Sequence, residues 1–175
     1  AAAVTVAGVV DRYQLRRIDA FLNQDSNEKD LQQIVLQVRF AKRAVSSGGF
    51  FGKGFLQGPL TNGAFIPVQF SDFPFSAIGE QFGMIGGFVV LALFAIILWR
   101  LWVISRLART RFDQLLIAGV FSLLLFQIFQ NIGMTLGLTP VSGLPLPFIS
   151  YGGSHLVSSA LMIGLAQSIY MRRLR

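Results

Sequence analysis

The sequence predicts an all-α polytopic membrane protein, and three observations carry that prediction. Of 175 residues, 53% are hydrophobic and 13% charged, with a mean hydropathy of +0.61, whereas a soluble domain carries about a quarter charged residues. Apolar runs over 81–99, 115–138 and 156–171 approach or reach the length a spanning helix needs, and each is flanked by arginines. Between the second and third lies P-V-S-G-L-P-L-P-F-I-S-Y-G-G, residues 140–153, with three prolines, three glycines and no charge. An apolar segment broken this often suits backbone that dips along or into a bilayer while resting on protein.

Charge and cysteine content narrow the classes further. The net charge of +7 does not point to nucleic acid, because several lysines and arginines sit at the ends of apolar runs instead of forming a stripe among polar residues. Without cysteine the chain has neither disulfides nor thiolate metal sites.

Residues 1–10, A-A-A-V-T-V-A-G-V-V, are apolar but too short to cross a bilayer, so they are expected to be the end of a transmembrane helix that starts before the chain does. The chain is accordingly expected to be the C-terminal part of a larger protein. Residues 11–76 are expected to form a large external loop. Within it Leu31, Ile34, Val35, Val38, Ala41 and Val45 recur at helical spacing, which predicts an amphipathic helix over 31–45 on the membrane surface or the bundle. Ile18, Phe21 and Leu22 suggest a shorter helical piece before it, and the polar 23–30 stretch a turn.

Transmembrane helices are expected over 77–105, 114–138 and 154–171. They are joined by a cytoplasmic loop, 106–113, and an external Pro/Gly loop, 139–153, and followed by a cytoplasmic tail, 172–175. Arg106, Arg109 and Arg111 share a side with Arg172, Arg173 and Arg175, so the positive-inside rule places both segments in the cytoplasm.

Several residues are candidates for chemistry. Asp72 lies among Phe70, Phe73 and Phe75, where a carboxylate is costly unless paired, solvated or functional. It reads equally as a general base or as an N-cap for the following helix. Glu80 reads as a second carboxylate of the site or as an acid complementing a helix N-terminus. The glycine-rich 48–54 loop with Lys53 offers amides and a cation to an anion, or is simply a close-packed turn; G-K-G in place of G-K-[ST] rules out a Walker motif. Lys42 and Arg43 add cations just before it. Gln127, Gln130, Asn131 and Met134 share one helical face, which suits either a ligand or bonds between helices. Ser150 and Tyr151 reach a ligand or satisfy loop backbone. Ser154 is a candidate N-cap for the last helix, and His155, the single histidine, has no partner at zinc-ligand spacing.

Four motifs carry a resemblance: S-G-G-F-F-G-K-G at 47–54, Asp72-Phe73 with A-I-G-E-Q-F-G at 77–83, F-Q-I-F-Q-N-I-G-M-T-L-G-L-T-P at 126–140, and above all G-L-P-L-P-F-I-S-Y-G-G-S at 143–154. Over roughly residues 13–175 the chain resembles the SEDS family of bacterial cell-wall glycosyltransferases, the RodA and FtsW group. By that analogy it is the C-terminal part of a roughly ten-helix bundle. The external loop then precedes the eighth helix, the three spans are helices eight to ten, and residues 1–10 end the seventh.

The resemblance implies polymerisation of lipid II, the undecaprenyl-pyrophosphate-linked precursor, at the outer face of the cytoplasmic membrane, in elongation or division. A class B penicillin-binding protein is the implied partner. The family's essential aspartate, in a His-Thr-Asp-Phe context, matches Asp72, although Phe70 and Ser71 replace His-Thr and Pro74 stands where Ile is common. On that basis Asp72 takes the proton from the attacking sugar hydroxyl. Lys53, Lys42, Arg43 or a divalent cation (Mg or Mn) offsets the leaving pyrophosphate, and Glu80, Gln130, Asn131, Ser150 and Tyr151 are further substrate contacts. A transporter of lipid-linked oligosaccharide, or a non-catalytic scaffold for a transpeptidase, are the rival expectations.

Overall fold

The computed structural model describes Arg17, Asp19, Phe21 and residues 29–62 and 69–172. The readings for residues 1–10, Ile18, Leu22 and the C-terminal arginines Arg173 and Arg175 lie outside them; Arg17, Asp19 and Phe21 are helical. Among the described residues every regular element is helical: α1 (Lys29–Ser47), α2 (Pro59–Asn62), α3 (Gln69–Asp72), α4 (Pro74–Leu107), α5 (Arg111–Leu136) and α6 (Gly153–Arg172).

The predicted amphipathic helix is α1, and its apolar stripe faces protein. Val35, Ala41 and Ala44 are buried, with Ala41 packed against Phe73 and against Met134 of α5. Arg39 and Arg43 remain on the exposed side.

α4 and α5 are each long and apolar enough to cross a membrane. α4 starts with Pro74 in its first turn, where a missing N–H costs nothing. It breaks at Gly83, whose φ of 65° and ψ of −157° are open to glycine alone. Beyond the break, 84–107 rises for about 36 Å, more than the roughly 30 Å of a hydrocarbon core. α5 opens on the N-cap Thr110: its Oγ1 accepts from the Asp113 amide at 3.1 Å and its hydroxyl donates to Asp113 Oδ2 at 2.7 Å. It ends at Gly137, in the left-handed conformation with φ of 71°.

The last expected crossing falls on α6, a 20-residue helix. Leu101 of α4, Ile117, Val120 and Leu124 of α5, and Ala166 of α6 form the main core cluster. Outward-facing Phe88, Ile96, Leu115, Phe129 and Leu161 are exposed, a pattern that water penalises and lipid does not.

The 140–153 loop does not stay at the surface. Leu146 is fully buried between Phe94 of α4 and Ile128 of α5, so the loop enters between the two longest helices. Its backbone there is satisfied by protein: the Leu146 amide donates to Ser150 Oγ at 2.6 Å, and its carbonyl accepts from the Ser150 amide at 3.0 Å.

Candidate active site

Asp72 closes α3 and stands one residue before the Phe73 N-cap of α4. The N-cap expectation for Asp72 is therefore corrected: Phe73 holds that position and the helix start has no side-chain cap. Pro74 follows at the first helical position, where its imide costs no hydrogen bond. The Asp72 carboxylate instead accepts from the Ser71 hydroxyl at 2.8 Å.

Its main chain is held from the far side of the fold. Asn131 is fully buried, and its Nδ2 donates to the Asp72 carbonyl at 2.9 Å and to the Leu144 carbonyl at 2.8 Å. One amide thus ties the aspartate's backbone to the 140–153 loop. Gln130 Nε2 holds the start of the same loop through the Pro140 carbonyl at 2.9 Å. Gln130 bonds the loop, and Asn131 bonds both the loop and the end of α3. The Oδ1 of Asn131 and the Oε1 of Gln127 are buried without a hydrogen-bond partner among the described residues.

A residue that sequence reasoning passed over joins the site. A Cβ built on Gly143 would lie 3.7 Å from Asp72 Oδ2 and 3.7 Å from both Nη1 and Nη2 of Arg17. Gly143, at φ of 70°, lets the loop pass where carboxylate and guanidinium converge. In the sequence, Arg17 is marked only by its place in the expected external loop with no acid at its own helical spacing.

The glycine loop has a different task from cradling phosphate. The break at Gly83 frees a rung of α4's hydrogen bonds, and the loop fills it. Amides of Lys53 and Gly54 donate to the carbonyls of Glu80 and Gln81, each at 3.0 Å, while Met84 and Ile85 donate to the carbonyls of Gly49 and Phe50 at 2.9 and 3.3 Å. The Gly52 amide bonds the Gly48 carbonyl at 2.8 Å, so the amides expected to meet an anion are spent on backbone. A Cβ at Gly52 would collide with the Gln81 carbonyl, and one at Gly83 with the Gly52 amide. Close approach of two backbones is what these glycines provide.

Glu80 is likewise corrected. It lies in the second turn of α4, not at the helix start, and its side chain is fully buried. Its carboxylate accepts from the Leu60 amide at 3.0 Å, the Thr61 amide at 2.7 Å and the Thr61 hydroxyl, with Lys53 Nζ at 3.7 Å. It holds α2 and the glycine loop onto α4. Lys53 is thereby engaged away from Asp72. Lys42 packs its Cε and Nζ against Gly137 at the C-terminus of α5, where the helix dipole favours a cation.

Arg43 is exposed, Ser150 is committed to the Leu146 amide, and Tyr151 is 85% exposed beside an open groove of about 480 Å³ with Pro74 and Leu156. Ser154 lies within the first turn of α6, which begins at Gly153, and so is not its cap. Of the nine candidate residues the sequence offers, the fold brings together Asp72 and Asn131 with the loop, and adds Arg17.

A helical bundle with two membrane-crossing helices, a loop dipping between them and a carboxylate anchored at its root defines an integral membrane protein with a polar site at one membrane face. The family model of FtsW, RodA and SpoVE cell cycle proteins matches residues 1–174, and the chain belongs to that family. It is 35% identical over 166 residues to the peptidoglycan glycosyltransferase RodA of Treponema pallidum, covering 95% of this chain and 38% of that protein. It is 36% identical over 162 residues to the peptidoglycan glycosyltransferase MrdB of Escherichia coli, covering 92% and 43%. The chain therefore spans about two fifths of the length of the curated relatives it matches.

Among solved structures it resembles one reported under "Structural coordination of polymerization and crosslinking by a peptidoglycan synthase complex", with a TM-score of 0.75, 26% identity, and coverage of 98% of this chain and 45% of that one. It also resembles a crystal structure of a mutant rod shape determining protein RodA from Thermus thermophilus, with a TM-score of 0.58, 26% identity, and coverage of 95% and 60%. The family read from the four motifs and the all-helical membrane fold are both borne out.

Proposed function

We propose that the protein containing this chain is a peptidoglycan glycosyltransferase that polymerises lipid II at the outer face of the bacterial cytoplasmic membrane. Relatives named for that activity support the reading, and so does the anchoring of Asp72 by Asn131, which is the observation that carries it. A base must be held within hydrogen-bond reach of the hydroxyl it deprotonates, and a backbone clamped to a buried amide limits its drift.

In the reaction, a sugar hydroxyl of one lipid II attacks the anomeric carbon of the growing strand. Its proton passes to the Asp72 carboxylate, and the bond from that carbon to the pyrophosphate oxygen breaks, its electron pair leaving with the pyrophosphate. A single displacement inverts the anomeric centre. Arg17, whose guanidinium approaches the same point at Gly143 as Asp72 Oδ2, supplies fixed positive charge near the carboxylate.

Among the described residues no three His, Cys, Asp or Glu side chains come together. A divalent cation, Mg or Mn, would not need such a cluster: Asp72 with the substrate's pyrophosphate would hold it, and it would offset the charge of the leaving group. A class B penicillin-binding protein is the proposed partner, supported by the similarity to a peptidoglycan synthase complex. The arginines of the 106–111 turn and Arg172 support a cytoplasmic placement for that turn and for the C-terminus.

The test is polymerisation of purified lipid II by the complete protein. Wild type yields long glycan; Asp72→Asn and Asp72→Ala yield none while still folding. Equal products from all three reject the reading. Lipid transport without glycan growth in the wild type replaces it with a transporter.

A further inference from the structure

On the membrane face away from Asp72, α4 and α6 part to leave a cleft of about 500 Å³. Its walls are Ile97, Leu101 and Ile104 of α4 with Ile163 and Ala166 of α6. Its mouth is polar: Arg100, Gln167 and Tyr170 line it, and the Arg100 guanidinium lies 5.8 Å from the centre of the Tyr170 ring. The depth of that mouth is marked by Trp99 and Trp102, both exposed, and by Arg106 stacked on Trp102 at 5.8 Å. Exposed tryptophans with arginines at one end of an apolar helix sit at headgroup level. Arg172 adds a second positive charge in the last turn of α6.

We propose that this cleft binds one anionic diacyl phospholipid, with the phosphate at Arg100 and an acyl chain between α4 and α6. Charge and depth both fit. The mouth is cationic at headgroup level, and from Tyr170 to Ile163 the apolar part runs about 10 Å inward. Basic pockets between transmembrane helices hold acidic lipid headgroups in this way.

The inner end of the cleft is Phe148, at the tip of the loop that enters from the other face. Phe148 holds a φ of 64°, a strained conformation for a residue with a side chain. An acyl chain against its ring therefore packs the far end of the loop whose near end is tied to Asp72 through Leu144 and Asn131.

The complete protein, delipidated in detergent, is titrated with phosphatidylglycerol or phosphatidylcholine and the bound lipid is counted by native mass spectrometry. Wild type retains one phosphatidylglycerol in preference to phosphatidylcholine. Arg100→Gln weakens that retention about tenfold, the scale of one lost charge-assisted contact. Ile163→Trp, which fills the cleft without touching charge, abolishes it, and Arg109→Gln, on the exposed turn after α4, leaves it unchanged. Should Ile163→Trp fail to fold, the Arg100→Gln comparison decides alone. Equal retention by wild type and Arg100→Gln, no preference over phosphatidylcholine, or no lipid bound because another helix fills the cleft each overturns the proposal.

Discussion

The side-chain amide of Asn131 holds the main-chain carbonyl of Asp72 at 2.9 Å, joining residues 59 positions apart. The same nitrogen holds Leu144, so the carboxylate-bearing segment and the re-entrant loop share one anchor inside α5. The Asn131 side chain is fully buried, while Asp72 and Leu144 are half-buried.

Asn131→Leu leaves those two carbonyls without their donor. Each unsatisfied buried group costs about 1–3 kcal/mol, so a thermal melt of the complete protein should drop by several degrees. Lipid II polymerisation should fall by more than the melt accounts for at assay temperature. Unchanged activity in Asn131→Leu would separate the anchor from the chemistry.

Gly52→Ala drives a methyl group into the Gln81 carbonyl at a position with φ of 79°. The strain alone is about 1–3 kcal/mol, and relief requires pulling the loop off the α4 break. Limited proteolysis should then cut within 48–57 much faster than in wild type. Gly49→Ala, which meets no atom within 4 Å but also has a positive φ of 58°, should give the milder effect.

Glu80 and Lys53 should respond unequally to removal. Glu80→Leu strands the Leu60 and Thr61 amides, a loss of about 3 kcal/mol or more for buried partners of a charged group. Lys53→Met removes a partner that is a third exposed, worth about 0–1 kcal/mol. Paired melts of the two variants measure the difference. Loss of polymerisation in Lys53→Met with an unchanged melt would return Lys53 to the substrate site.

Arg17→Gln removes a positive charge that approaches Gly143 from the same side as Asp72 Oδ2, each 3.7 Å from where a Cβ would stand. Turnover should fall about tenfold or more, as for loss of one electrostatic group in a catalytic site, with the melt changed little. Arg17→Lys should recover part of the rate, because charge is kept while the planar fork is lost. Full activity in Arg17→Gln would leave the guanidinium without a role in turnover.

Much of the bundle was legible in local pattern. The spacing of Val35, Val38 and Ala41 announced α1, and long uncharged runs announced α4 and α5, because a solvent boundary imprints its period directly on the chain. Proline and glycine likewise marked 140–153 as broken apolar backbone, and Leu146 lies buried there. The break in α4 left a trace too: Gly79, Gly83, Gly86 and Gly87 crowd one short stretch, a density that a straight helix does not need.

Partner choice was decided by the tertiary structure. Glu80 looked like an acid at a helix start and became the buried acceptor of Leu60 and Thr61; the 48–54 glycines looked like an anion cradle and became the missing rung of α4. Arg17 and Asp72 both come to Gly143 only through the way the loop folds. Hydrophobicity is a property each residue declares by its own chemistry, so the chain alone picked out α4 and α5 as helices long and apolar enough to cross a membrane. A hydrogen bond or charge pair belongs to two residues at once, and only the fold brings the second one into reach.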